Sequence, residues 1–181
     1  LPEPVGIVLL LTGCIIFAFF VRHQLSVRFP VFDIKLFTTN KTFTYSSLAA
    51  LLNYSATFAV TFLLSLYLQY IKAMTPQTAG IVLMAQPVMM AVLSPAAGRL
   101  SDRIEPRLIA STGMAVTVCG VSLFSLLSPD TNIIFIIANL VLLGCGFALF
   151  SSPNMSAIMG AVHKQDYGLA SGAVATMRLL G

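Results

Sequence analysis

The chain has 181 residues, of which 57% are apolar and only 9% charged, with a formal net charge of +4. An average soluble domain carries roughly 25% charged residues, so the composition excludes a water-soluble globular domain and makes the bilayer the solvent. The apolar runs are continuous rather than alternating, which points to helical spans and an all-α membrane protein.

The first residue is Leu1, and neither a basic stretch nor a small-residue cleavage site accompanies the first apolar run. That run therefore reads as a span rather than a signal peptide. An apolar segment has barely begun at Gly181, so the chain reads as a fragment of a longer membrane protein: five complete or near-complete spans plus the start of a sixth. Cys14, Cys119 and Cys145 all fall inside apolar runs without metal-ligand spacing, and read as buried thiols in packing roles.

Val5–Val21 is the first span, followed by a polar loop over 22–42. Phe43–Tyr70 is the second, and at about 1.5 Å per residue it exceeds the hydrocarbon thickness and must tilt or protrude. Read at every fourth residue it presents Tyr45, Ala49, Asn53, Thr57, Thr61, Ser65 and Gln69, a polar stripe. Such a stripe faces a water-filled cavity or makes hydrogen bonds between helices; the cavity is the reading adopted for Asn53, Thr57 and Thr61.

The third span, Ala79–Ala97, repeats the pattern more weakly with Gln86, Met90 and Ser94. Met89 and Met90 supply either an adaptable ligand wall or plain core. Pro87 and Pro95 are expected to bend this span and free carbonyls.

The stretch GRLSDRIEPR, residues 98–107, then holds five of the sixteen charged residues in the chain. Its arginines could simply orient the protein, but Gly98, Asp102 and Pro106 exceed that need. Gly98 suits a left-handed helix end or the close approach of another helix. Asp102 can pair with Arg103 or Arg107, or accept hydrogen bonds from a helix N-terminus. Pro106 suits a first helical turn. Together they describe a clasp joining two helices and touching a third.

Leu108–Leu127, the fourth span, has no polar stripe and reads as peripheral. On the fifth, Ile133–Val162, Asn139, Gly146, Phe150 and Pro153 share a face with Asn154 to one side. Gly144 and Gly146 permit close helix approach, and Pro153 is expected to break the run; the combination reads as a gating or cavity helix, with Asn139, Phe150 and Asn154 joining Gln86 and Met90 as substrate-cavity candidates. The sixth span begins near Gly168 and carries Arg178 about 15 Å in; an ionisable group at that depth is a buried charge in need of a partner. No Asp or Glu lies mid-span. His23 and His163 fall at membrane surfaces.

Loop charges set orientation. The loops at 22–42, 98–107 and 163–167 carry eight Lys or Arg, against one (Lys72) in the alternate loops. Basic loops stay cytoplasmic, which places the N-terminus of this chain outside. It also explains the net positive charge without a nucleic-acid partner.

GRLSDRIEPR resembles the cytoplasmic-loop motif of the major facilitator superfamily, Gly-x-Leu-(Ala/Ser)-Asp-Arg-x-Gly followed by basic residues. Gly98, Leu100, Asp102, Arg103 and Arg107 match it, while Glu105 replaces the second glycine. RFPVFDIKLFTTNKTF (28–43) and GLASGAVATMRLLG (168–181) are similar to segments of the 14-span drug:proton antiporters. The resemblance implies a partial major facilitator fold. Residues 1–21 would be a linker span, 22–42 a cytoplasmic connecting loop, and 43–181 the front of the C-terminal transmembrane half. It further implies proton-coupled efflux of amphipathic compounds across the cell membrane, with a symporter or uniporter for one metabolite as the alternative on the same fold. The N-terminal half and the remaining C-terminal spans would complete the protein. The expected partners are a small-molecule substrate, protons and lipid. No metal-ligand cluster, nucleophile–base constellation or phosphate-cradling loop points to an enzyme, metal or cofactor.

Overall fold

The computed structural model describes residues 3–26 and 34–181. Arg28, and with it the 28–33 part of the segment resembling the antiporters, lies outside the described residues. Eight helices follow in order: α1 (Glu3–Ser26), α2 (Ile34–Thr39), α3 (Lys41–Leu66), α4 (Pro76–Leu83), α5 (Ala85–Ser101), α6 (Pro106–Leu123), α7 (Ile133–Gly160) and α8 (Tyr167–Leu180).

Among the described residues, four helical stretches are long and apolar enough to cross a membrane: Lys41–Ile71, Pro76–Ser101, Pro106–Leu126 and Ile133–Gly160. The first three begin two or three residues before their apolar runs, because backbone hydrogen bonding continues past the hydrocarbon boundary, whereas the last starts at Ile133 as expected and ends two residues short of Val162. In α1 the apolar stretch is Leu11–Phe20, and its large side chains point out on different sides: Ile15, Ile16, Phe17 and Phe19 are all exposed. The expected 22–42 loop is partly helical, since α1 runs on to Ser26 and α2 and α3 begin before residue 42.

Local chemistry fixes the helix ends. Asn40 caps α3 by accepting from the Phe43 N–H at 3.0 Å, and its amide nitrogen also donates to the Ala161 carbonyl beyond α7. Asn132 caps α7 through the Ile134 N–H at 2.9 Å, and Pro106 occupies the first turn of α6 as expected. The far end of α3 widens into a π-turn over Tyr67–Ile71 and stops at Ala73, which adopts a positive φ of 50°. There Lys72 Nζ donates to the Pro129 carbonyl and Tyr67 to the Ser128 carbonyl, each at 2.6 Å, joining two loops at the end opposite the charged loop.

Proline acts unequally. Pro87 cannot donate to the Leu83 carbonyl, and the helix is interrupted at Met84, dividing one span into α4 and α5. Pro95 and Pro153 lie inside continuous helices, so Pro153 does not break α7.

α7 is the axis of the bundle. A methyl group on Gly146 would lie 2.8 Å from the Thr117 nitrogen, and one on Gly113 would lie 2.6 Å from the Phe150 nitrogen, so α6 and α7 meet backbone to backbone. On another face, Gly144 meets α5: a methyl group there would lie 2.6 Å from the Gln86 carbonyl oxygen. The two glycines thus serve two different neighbours. The fourth span is not peripheral in packing, because Gly113, Thr117 and Gly120 form a small-residue seam of the kind that lets membrane helices approach closely. α8 packs on α3 and α7 through Ala170, Ala173 and Val174 against Phe43 and Ile158.

The cysteines depart from expectation. Cys14 and Cys119 are exposed on their helices and Cys145 is half-buried, because a lipid-facing surface welcomes a small apolar thiol as readily as a core does.

Candidate substrate cleft and loop clasp

Two cavities lie along the concave face made by α3, α5, α7 and α8. The first, of 340 Å³, brings together Thr57, Thr61, Gln86 and Met90 with Tyr54, Phe147 and Arg178. The second, of 510 Å³, lies nearer the charged loop and is lined by Ser94, Phe150, Asn154 and Ser171, again with Tyr54 and Arg178. Both volumes suit a drug-sized ligand.

Thr57 and Thr61 donate back to the carbonyls of Asn53 and Thr57, at 2.9 and 2.8 Å. Their donors are therefore spent within α3, and what they offer the cavity is acceptor lone pairs. Ser94 likewise donates to the Met90 carbonyl at 2.6 Å. Asn154 Nδ2 donates to the Ser46 carbonyl at 3.1 Å and ties α7 to α3.

Three expected site residues stand elsewhere or differently. Asn53 is buried between α3 and α6, with its amide nitrogen 3.6 Å from the Met114 sulfur and its oxygen without a partner among the described residues. The cause is geometric: every fourth residue on a helix advances about 40° around it, so the stripe winds from one side of α3 to the other. Asn139 sits in the α6–α7 seam, donating to the Gly120 carbonyl at 2.9 Å, and lines neither cavity. Arg178 is not buried. It stands on an exposed face of α8 with its guanidinium carbon 5.7 Å from the Tyr54 ring centroid, within cation–π range, and Tyr54 in turn meets Phe147 edge-on at 5.5 Å.

Tyr54, Phe58 and Phe147 were missed by sequence reasoning. The spacing Tyr54, Thr57, Phe58, Thr61 is the i, i+3, i+4, i+7 signature of one helix face, which reading at every fourth residue passes over.

At the charged loop, Gly98 lies within α5, which continues to Ser101, and no glycine has a positive φ among the described residues. Its left-handed cap is therefore absent, while its close-approach role is present: a methyl group on Gly98 would lie 3.2 Å from Ser152 Oγ of α7. Leu100 and Arg103 are exposed, as is Asp102, which closes α5 without an ion pair or side-chain hydrogen bond among the described residues. Glu105 takes the family's glycine position with an ordinary negative φ of −53° and sits 3.9 Å from Arg107. Arg107 also reaches across to α3, donating to Thr42 Oγ1 at 2.8 Å. The loop thus touches α3 through Arg107 and α7 through Gly98, without Asp102 taking part.

The Major Facilitator Superfamily profile matches residues 4–181. The chain belongs to the major facilitator superfamily. It is 32% identical over 170 residues to the riboflavin transporter RibZ of Clostridioides difficile, covering 94% of this chain and 37% of that protein. It is 27% identical to the multidrug resistance protein Stp of Mycobacterium tuberculosis, covering 93% of this chain and 30% of Stp. It is 28% identical to the multidrug efflux pump LfrA of Mycolicibacterium smegmatis, covering 93% of this chain and 33% of that pump. The chain spans about a third of the length of the relatives it matches. As a major facilitator chain it has a partial all-α membrane fold, and its relatives are transporters, not enzymes.

Proposed function

We propose that this chain is the front of the C-terminal half of a 14-span major facilitator protein that exports amphipathic drug-like compounds in exchange for protons. Residues 1–21 would be a linker span, 22–42 a cytoplasmic connector and 43–181 the leading spans of that half. The excess of Lys and Arg in the loops at 22–42, 98–107 and 163–167 supports an orientation with the N-terminus of the chain outside the cell membrane.

The observation that carries this reading is the cleft on α3, α5, α7 and α8, which sets aromatic and methionine walls beside hydroxyl acceptors. Such a surface accepts varied amphipathic molecules because apolar area supplies affinity while few polar groups fix orientation. The likeness to Stp and LfrA supports the same substrate class. Alternating access would open the cleft to each side in turn as the two halves rock. No carboxylate lines either cavity among the described residues; on this reading the proton-carrying group lies outside these two cavities.

The second reading, a carrier for one small metabolite, draws on the likeness to RibZ. Export of a lipophilic dye by the full-length protein in membrane vesicles, with and without a proton gradient, separates the two. Export that collapses with the gradient is expected; no export of any such dye by folded protein would favour the specific carrier.

A further inference from the structure

The two cavities of the cleft share two residues, Tyr54 and Arg178, and differ in the balance of apolar and hydroxyl groups on their walls. On the side of α4 the walls are mainly apolar, with Phe58, Met84, Pro87, Met90 and Phe147, and carry Thr57, Thr61 and Gln86 as their polar groups. Towards the charged loop they include Ser94, Ser151, Ser152, Ser156 and Ser171, with Asn154. Along α3, α5 and α7 alike the first set lies toward α4 and the second toward the charged loop, so the Arg178–Tyr54 pair is a waist between a mainly apolar chamber and a hydroxyl-rich one.

Arg178 is the only charged side chain lining either chamber among the described residues. At the waist its guanidinium lies against the Tyr54 ring, 5.7 Å from the centroid, with no carboxylate partner among the described residues. A guanidinium so held has its N–H donors available to a ligand, since a cation–π contact uses its charge and not its hydrogen bonds. Ser151 and Ser171 add hydroxyls that make no hydrogen bond with protein among the described residues.

We infer that the cleft selects planar aromatic molecules bearing an anionic head, with the ring system in the apolar chamber against Tyr54 and Phe147 and the head on Arg178 and the serines. This rests on the transporter reading above and narrows its substrate class. A lipophilic cation would fit the apolar chamber equally well by shape but would meet Arg178 with the wrong sign. Arg178 is then the residue that sets charge preference, and Tyr54 the one that positions both ring and guanidinium.

The test uses two dyes with one xanthene skeleton and opposite charge, fluorescein as the dianion and rhodamine 123 as the cation. Binding to the purified full-length protein in nanodiscs is followed by fluorescence anisotropy at mildly alkaline pH, without any gradient. The native protein is expected to bind fluorescein roughly tenfold more tightly or better, the scale of one charge-assisted hydrogen bond. Arg178→Gln should erase that preference by weakening fluorescein and not rhodamine 123, and Arg178→Lys should restore part of it. Ser171→Leu, which removes a hydroxyl and fills the polar chamber, should weaken fluorescein alone and serves if Arg178→Gln does not fold. Equal or tighter binding of rhodamine 123 by the native protein overturns the inference, as does unchanged fluorescein binding in folded Arg178→Gln. Because no gradient is used, a failure of proton-coupled export leaves this result standing, and intact export with equal dye binding would sink only the charge preference.

Discussion

Gly144 of α7 faces the Gln86 carbonyl of α5 with space for a hydrogen and nothing larger: a methyl group would lie 2.6 Å from that oxygen and 2.8 Å from the Met89 Cβ. Neither neighbour is the end of a flexible side chain, so the helices themselves must separate. Gly144→Ala is expected to cost about 1–3 kcal/mol, the usual range for overpacking. Gly160→Ala, where nothing lies within 4 Å, should stay within about 0.5 kcal/mol. Thermal unfolding of the two variants in detergent, compared side by side, checks this; equal melting would mean the α5–α7 contact is looser than described.

Asn139 is a test of placement. Its amide donates to the Gly120 carbonyl in the α6–α7 seam and lines neither cavity. Asn139→Ala should lower stability by about 0.5–2 kcal/mol, the scale of an interhelical hydrogen bond in a membrane, and leave dye affinity unchanged. An affinity loss without a stability loss would return Asn139 to the cleft.

Arg107 joins the charged loop to α3 through Thr42, and both partners are solvent-accessible. Thr42→Val should therefore change stability by less than about 1 kcal/mol while altering the transport rate, measured as dye efflux per folded molecule. Asp102→Asn should leave stability unchanged, because Asp102 has no side-chain partner among the described residues in this conformation. A clasp that forms in another conformation would show as slower cycling with substrate binding retained. Unchanged efflux in both variants would remove the clasp from the mechanism.

Pro87 interrupts the span at Met84 and forms part of the apolar chamber wall. Pro87→Ala restores a donor for the Leu83 carbonyl and should join α4 to α5. The expected outcome is equal or higher thermal stability with a slower transport cycle, since a straight helix holds the chamber mouth in one shape. Faster or unchanged transport would show that the break is incidental.

The four long apolar helices from Lys41 to Gly160 and the close approaches at Gly144 and Gly146 were legible in the sequence because each depends on one helix at a time: a run of apolar residues, or the absence of a side chain. The relationships between helices were less so. Arg178 and Tyr54 are far apart in the chain, and nothing local to either announces the other. Asn53 and Asn139 looked alike to Thr57 and Gln86, since polarity inside a span declares that a partner exists without saying whether it is a cavity, a sulfur or a neighbouring backbone. The Gly113, Thr117 and Gly120 seam was overlooked because small apolar residues leave no polar trace.

The bundle has hard joints and soft ones. Where α5, α6 and α7 touch through glycine, main chain rests on main chain, and sliding by even a fraction of a residue would drive Gly144 or Gly146 into its neighbour. α3 is held to α7 by side chains instead, chiefly Asn154 on Ser46 and the Tyr54–Phe147 edge contact. Torsions can take up motion that backbones cannot. A shape change within this bundle would therefore run along the α3–α7 boundary, where the cleft opens, with the glycine-joined trio moving as a single block.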